Sequence, residues 1–364
     1  MKKSFRLLIL FVVVIVLAGC IKTVSGQAGY GDKIRILVIK GVKEVNIKGS
    51  DRGSLEIRRS GYGSVAINGR GRDLPLRLTP QSDFIYLNGK PFRGTIEVRD
   101  SKEGLMVINE LFLESYLVGI INNEISSKWP EDVIKTQAVI ARTYALYSKN
   151  KKNKGLYHLE GSIMGQVYSG VGKEDSIAHK AVKETAGEIL TYSGEPALTV
   201  YHSNAGGMTD SSKDVWAHPY PYLQSVKSPY DIDAPRVYWE YGITAESLKQ
   251  ALNKAGYRIG EPESIDIDNL TSAGRIKTTL ITDGDNKRVT LSGEDLRKIL
   301  GYSNLKSTIF EVTKSGDSFL FKGRGWGHGV GLSQWGAKGM AENGSSYKEI
   351  LNHFYPGTDL VKVY

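Results

Sequence analysis

The sequence predicts a mixed α+β fold, and three observations predict it. Between residues 33 and 109, short β-type runs alternate with glycine turns. From residue 110 to 149, apolar residues recur at helical spacing. Near the C-terminus, glycine occupies every second position from 323 to 331. The architecture read from these is a strand-rich N-terminal region, a central helical region with an inserted α+β subdomain, and a Gly-rich C-terminal motif.

The first residues read as an export signal. Lys2, Lys3 and Arg6 precede an apolar core from Leu7 to Leu17. That is the order of a secretory signal, and it falls short of the ~20 apolar residues that span a bilayer. Leu17-Ala18-Gly19-Cys20 follows and resembles a bacterial lipobox, with cleavage before Cys20 and lipid on its sulfur. Cys20 is the only cysteine in the sequence. Lipidation there anchors a chain to the membrane surface without spanning it. Residues 1–19 are therefore expected to be a lipoprotein signal peptide and residues 20–32 a tether, with Gly and Ser and no periodicity. The expected location is extracytoplasmic, lipid-anchored to the bacterial membrane.

Composition narrows the partners. Hydrophobic residues at 40% and charged residues at 24% are those of a folded protein. Removing residues 1–19 takes away three of the 48 cations and leaves 45 Lys+Arg against 39 Asp+Glu. In an exported chain that basic balance suits anionic lipid and an acidic wall, and no nucleic-acid partner is expected. With one cysteine, the mature chain has neither a disulfide nor a cysteine-based metal site.

Residues 33–94 form the strand-rich region. Runs such as 34–39, 45–48, 64–67 and 83–87 are separated by Asn68-Gly69, Asn88-Gly89 and similar turn signals. Glu110 to Ile121 then reads as a helix, and a second helix begins at Ser127, with Pro130 near its first turn and Glu131 and Asp132 at the positive end of the dipole. Glu124 falls on the short loop between them, among Ile120, Ile121, Ile125 and Trp129. Burial disfavours an ionised carboxylate, so a Glu in such surroundings can stay protonated and act as an acid. A loop Glu pointing to water fits the same residues. On the second helix Lys135 and Arg142 lie two turns apart, able to reach one polar or anionic ligand, or to form a solvated flank.

A third helix is expected at about 175–187, and strands are expected to flank the glycine turn in residues 198–209. Residues 230–320 read as the inserted α+β subdomain, with helices at 244–256 and 292–301 capped by Thr244 and Ser292, and strands near 276–282 and 306–313. In the C-terminal motif, glycine alternation in an extended chain would bare one face and put Arg324, Trp326, His328 and Val330 on the other. It lacks the spacing of a phosphate-cradling loop. Aromatic and polar groups together suit sugar recognition. Ser333 can cap a short helix to about Glu342, and Ser346 with Glu349 forms a capping box for the last helix.

Three strings of residues resemble the SpoIID/LytB family, named for stage II sporulation protein D and an amidase enhancer. The first runs from Glu114-Ser115-Tyr116-Leu117 through Glu124, Trp129-Pro130, Lys135-Thr136-Gln137-Ala138 and Ala141-Arg142-Thr143-Tyr144. The second is Gln166-Val167-Tyr168-Ser169-Gly170 with Tyr201-His202-Ser203-Asn204-Ala205-Gly206-Gly207. The third is Gly325-Trp326-Gly327-His328 through Ser333-Gln334-Trp335-Gly336. Together they cover about residues 95–364, which the resemblance marks as the catalytic domain. It implies a peptidoglycan lytic transglycosylase that cleaves glycan strands, preferably those stripped of stem peptides, between N-acetylmuramic acid and N-acetylglucosamine. Glu124 is then the catalytic acid. Such an enzyme needs one carboxylate, where a hydrolase usually needs two, and no second one stands out in the matched strings. Lys135, Gln137, Arg142, Tyr144, His202, Ser203, His328, Ser333 and Gln334 would line or shape the glycan groove. The other role the family implies is that of a non-catalytic, wall-binding activator of a partner amidase. Some relatives bind zinc through cysteines before the Gln-Val-Tyr string. Residues 156–165 here hold His158 and Glu160 but no cysteine, so no metal and no cofactor is expected.

Overall fold

The structure, a computed structural model, describes residues 32–162 and 165–364. The expected signal peptide, Cys20 and all of the tether but Asp32 lie outside the described residues.

Two sheets, antiparallel except where residues 159–160 pair in parallel with strand 33–42, build the N-terminal region. In one, strands 44–50, 53–61, 64–67, 70–73, 85–87 and 90–92 run as meandering hairpins. Asn68-Gly69 and Asn88-Gly89 both adopt positive φ, the geometry of the tight turns their sequence predicts. In the other, strand 33–42 pairs with 104–112, which pairs with 95–101, so this sheet joins chain from both sides of residue 94. Its central strand is covered on both faces: Leu105, Val107 and Leu111 enter the main core, while Met106 and Ile108 pack with Leu37 and Tyr157.

Helix α1 spans Leu113–Glu124, three residues later than the apolar spacing predicts. Glu110 to Phe112 stay in the strand because Glu110 stands opposite Arg35 in register and accepts a hydrogen bond from its guanidinium at 2.8 Å. The same shift puts Glu124 on the last residue of α1 rather than on a loop. Helix α2 spans Glu131–Lys151, with Pro130 rather than Ser127 at its N-cap. A residue before proline avoids the helical region, so no helix runs from Ser127 through Trp129. Residues 126–129 instead form a turn closed by Trp129 N–H to the Ser126 carbonyl.

Helix α2 is the axis of the main core. Val133, Ile134, Ala138, Val139, Ile140, Ala141 and Ala145 are all buried, against α1, helix α3 (Ser176–Glu184) and strand 188–192. Arg142 ties these together. Its side chain is 0% exposed, binds both oxygens of Glu114 at 2.7 and 2.8 Å, and donates to the carbonyls of Val182 and Glu188. Helix α4 (Ser212–Trp216) follows. Residues 238–324 then form a second core around Trp239, Leu248, Leu252, Ile281, Leu296, Phe319 and Phe321. It holds α5 (Ala245–Lys254), capped by Thr244, and α6 (Gly293–Leu300), capped by Ser292, with two three-stranded sheets. Helices α7 (Gln334–Glu342), capped by Ser333, and α8 (Tyr347–Phe354), with its Ser346–Glu349 capping box, return the chain to the main core.

Glu114→Gln leaves the Arg142 guanidinium buried without its counter-charge, and breaking such a pair costs about 3–5 kcal/mol. Urea unfolding should register that loss. A change below about 1 kcal/mol would place the pair among the weak surface ion pairs and contradict its role as a tie.

Candidate functional site

The glycine run is not extended. Gly325, Gly327, Gly329 and Gly331 have φ of 83, 120, 82 and 70°, so the chain coils. Its side chains do not share one face: Val330 is fully buried while Trp326 is 40% exposed. The glycines serve a close approach. Residues 325–333 lie beside 200–210, bridged at Asn204–Trp326, His202–Ser333 and Asp210–Val330. A Cβ on Gly327 would sit 2.5 Å from that of His202, and one on Gly331 2.2 Å from the Val200 carbonyl oxygen. Only two residues of the expected strands around 198–209, Tyr201 and His202, form a strand, and it pairs in parallel with Leu332 and Ser333.

This pairing closes a cavity of about 760 Å³ over the end of α1. Its wall includes Glu124, Tyr144, His202, Ser203, His328 and Gln334, with Tyr201 and Trp326. A second cavity of about 440 Å³ shares Tyr144 and Gly165 with it, and a third of about 360 Å³ shares Ser203 and Trp326. Glu124 thus lines the cavity that shares wall residues with both of the others. Aromatic faces are spread over all three: Tyr147 and Tyr220 in the second, Trp216 in the first, Trp335 in the third.

Burial raises the Glu124 carboxyl above its ordinary pKa. The Val167 N–H, 2.8 Å from Oε1, and the buried Tyr201 hydroxyl pull the other way, and no cation offsets the burial. With Oε1 accepting from a fixed backbone N–H, Oε2 is the oxygen left to carry the acidic proton. Tyr201 in turn has no hydrogen bond of normal geometry and is held un-ionised by burial.

Both histidines are neutral at pH 7 because burial disfavours imidazolium: His328 is pushed down to about 4 and His202 well below its ordinary value. Their tautomers follow from their partners. His202 Nδ1 meets the Val330 carbonyl at 3.2 Å and must donate, which leaves Nε2 as an unpartnered acceptor. His328 donates from Nε2 to the Tyr201 carbonyl and accepts the Val330 N–H on Nδ1, so both its nitrogens are spent on the backbone.

The other expected residues sit elsewhere. Lys135 is 2.7 Å from both Glu131 and Glu184, and Arg142 is the buried tie to Glu114. Gln137 is buried behind Gln334, which donates to it at 3.3 Å. Ser333 Oγ donates to Asp231 at 2.6 Å and accepts the N–H groups of Ala205 and Gly336, locking α7 to the 200–207 segment. Among the described residues no three His, Cys, Asp or Glu side chains converge as a metal site.

A family model described as "Stage II sporulation protein" matches residues 101–192, and one described as a domain of unknown function matches 225–331. Stage II sporulation protein D of Bacillus subtilis is 30% identical over 269 residues, 70% of this chain and 75% of that protein. The chain belongs to the SpoIID/LytB family. An uncharacterized protein of Brachyspira hyodysenteriae is 34% identical over 280 residues, 77% of this chain and 74% of its own length. The amidase enhancer of B. subtilis is 30% identical over 335 residues, 78% of this chain but 46% of that larger protein.

Sequence reasoning missed several members of the cavity wall. Tyr201 and Val167 lie within the motif strings, which give no sign of their role. Glu294, Arg297 and Tyr302 come from the inserted subdomain and bear no motif. Glu294 is a second carboxyl group in the wall, outside the three motif strings, and burial raises it too.

Two glycine variants separate close approach from backbone conformation. Gly331→Ala meets both a positive φ and the Val200 carbonyl, and should cost about 3 kcal/mol or more. Gly344→Ala, with a positive φ but open space, should cost about 1 kcal/mol. Equal losses in urea unfolding would contradict the close-approach argument.

Proposed function

We propose that this chain acts on the bacterial cell wall as a lytic transglycosylase, cutting peptidoglycan glycan strands between N-acetylmuramic acid and N-acetylglucosamine. The observation that carries this is the position and state of Glu124: a carboxyl group with raised pKa in the wall of a cavity that shares residues with two others. Glu124 gives its proton to the glycosidic oxygen as the bond to the muramic C1 breaks. The resulting carboxylate then removes the proton of the muramic 6-hydroxyl, whose oxygen bonds to C1 and closes a 1,6-anhydro ring. The proton returns to Glu124, no water is consumed, and one group serves as acid and then base. The Val167 N–H stabilises the carboxylate between the two steps. Lipid on Cys20 would hold the enzyme at the membrane surface, within reach of the wall. Family membership supports a wall-directed role, since relatives are named for sporulation and for enhancing an amidase.

A second reading, favoured by the amidase enhancer relative, is a wall-binding activator of an amidase that does no chemistry itself. The two part on product analysis. Purified protein with peptide-free glycan strands should yield anhydromuramic ends by mass spectrometry, and Glu124→Gln should lower the rate at least ~100-fold. Reducing ends in place of anhydro ends would instead mean hydrolysis assisted by a second carboxylate such as Glu294. No cleavage, together with faster amidase turnover, would favour the activator.

The reaction starts from protonated Glu124, so its rate should fall as pH rises through the folded-state pKa. The alkaline limb of kcat/KM should lie above the ordinary glutamate range. A limb at or below that range would count against Glu124 as the acid.

A further inference from the structure

The inserted subdomain reaches the site with the tip of one hairpin. Strands 262–270 and 276–283 pair as far as Leu270 opposite Ile276. Residues 271–275 close the turn: the Thr271 N–H donates to the Arg275 carbonyl, and the Arg275 N–H donates to Thr271 Oγ1. Two side chains of this tip enter the seam between the two cores. The Thr271 hydroxyl donates to Asp210 Oδ2 at 2.5 Å. Arg275, 1% exposed, donates from Nη2 to the Ala205 carbonyl at 2.5 Å and to that of Met208 at 3.5 Å. Its guanidinium also lies against Gly329, where an added Cβ would sit 2.3 Å from Arg275 Cζ. Gly329 thus makes room for Arg275.

Arg275 therefore holds two segments of the cavity wall at once. Ala205 and Met208 follow His202 on one, and Gly329 lies between His328 and Val330 on the other. The Asp210 N–H joins the two by donating to the Gly329 carbonyl at 2.7 Å. The histidine geometry depends on their spacing: His202 Nδ1 donates to the Val330 carbonyl and His328 Nε2 to the Tyr201 carbonyl, each crossing from one segment to the other. Packing alone gives no reason for a cation here, since apolar side chains often fill such a place at no cost in stability. Nε and Nη1 of Arg275 have no hydrogen-bond partner among the described residues. What the guanidinium adds is direction, through donors in a fixed plane, and a positive charge that joins burial in keeping both imidazoles neutral.

We propose that Arg275 is a positioning residue for the cleavage site: through its guanidinium the inserted subdomain sets His202 and His328, and with them the cavity wall they share with Glu124. The inference rests on the glycan-cleaving reading. Arg275 is not among the residues that line the cavity, so it acts through the two segments it grips. Without that grip Glu124 stays on α1 while the groups around it lose their fixed places.

Two readouts on the full chain test this. Imidazole nitrogen NMR at neutral pH reads the tautomers, with the rings assigned from His202→Gln and His328→Gln, and steady-state cleavage of peptide-free glycan strands reads the rate. The unaltered protein should show His202 protonated on Nδ1 and His328 on Nε2, each as a single tautomer. Arg275→Met should mix the tautomers of at least one ring and lower kcat roughly tenfold or more. KM should change by less than about threefold, the pattern of misplaced groups rather than lost binding. Arg275→Lys, which keeps the charge without the fork, should recover part of the rate. Unchanged tautomers in a folded Arg275→Met protein, or altered tautomers with an unaltered kcat, would overturn the proposal. Should Arg275→Met fail to fold, Arg275→Lys carries the comparison, and unaltered tautomers and rate in that variant would overturn the proposal. An absence of anhydromuramic ends from the unaltered protein would sink the cleavage reading, and the tautomers alone would then decide whether Arg275 sets the two rings.

Discussion

The site depends on two backbone segments lying closer than side chains allow. Residues 200–207 and 325–333 touch through Gly325, Gly327 and Gly331, where an added Cβ would fall 2.2 to 3.1 Å from the facing chain. That approach sets Tyr201 and His202 over the end of α1, holds His328 by both nitrogens, and lets Ser333 Oγ bind Asp231 while capping α7. Gln334, the first residue of α7, thereby enters the cavity. The alternating glycines are the mark of this contact. The same alternation read in one dimension mimics the period of a strand, which is why an extended conformation was the natural expectation.

Helix α1 positions Glu124 through the place where it stops. Its C-cap, Ile125, donates to the Ile121 carbonyl, and Glu124 stands on the last turn with its carboxyl toward the Val167 N–H. Desolvation without a nearby cation is the physical cause of its raised pKa. Arg142 could have undone this had it faced the cavity. It is engaged instead by Glu114 at the opposite end of α1, which keeps a strong positive charge away from the acid while binding α1 to α2.

Much of the local structure was legible because it is set by neighbours in sequence. Caps at Thr244, Ser292, Ser333 and Ser346 each place a side-chain oxygen three residues before the N–H it accepts, and the hairpins at Asn68-Gly69 and Asn88-Gly89 follow from residues that tolerate positive φ. The junction at 110–112 was not legible, since Leu111 and Leu113 fit a strand and a helix equally well and the decision belongs to Arg35, some 75 residues away. The same limit applies to the site. Lys135 and Arg142 do share a helix face, but what lies opposite that face, Glu184 and Glu114, cannot be read from spacing. Glu294 and Arg297 reach the cavity only because a second core of its own folds against the first, and no local pattern announces that.

The central claim is the proposal that burial raises the Glu124 carboxyl so that it can protonate a glycosidic oxygen. The most direct test is the titration of that one group, followed by carboxyl-carbon NMR on glutamate-labelled protein and assigned by the resonance missing from Glu124→Gln. A midpoint above the ordinary glutamate value of about 4.3 is the predicted result. A midpoint at or below it would mean that the cavity stabilises the carboxylate instead, and would contradict the account.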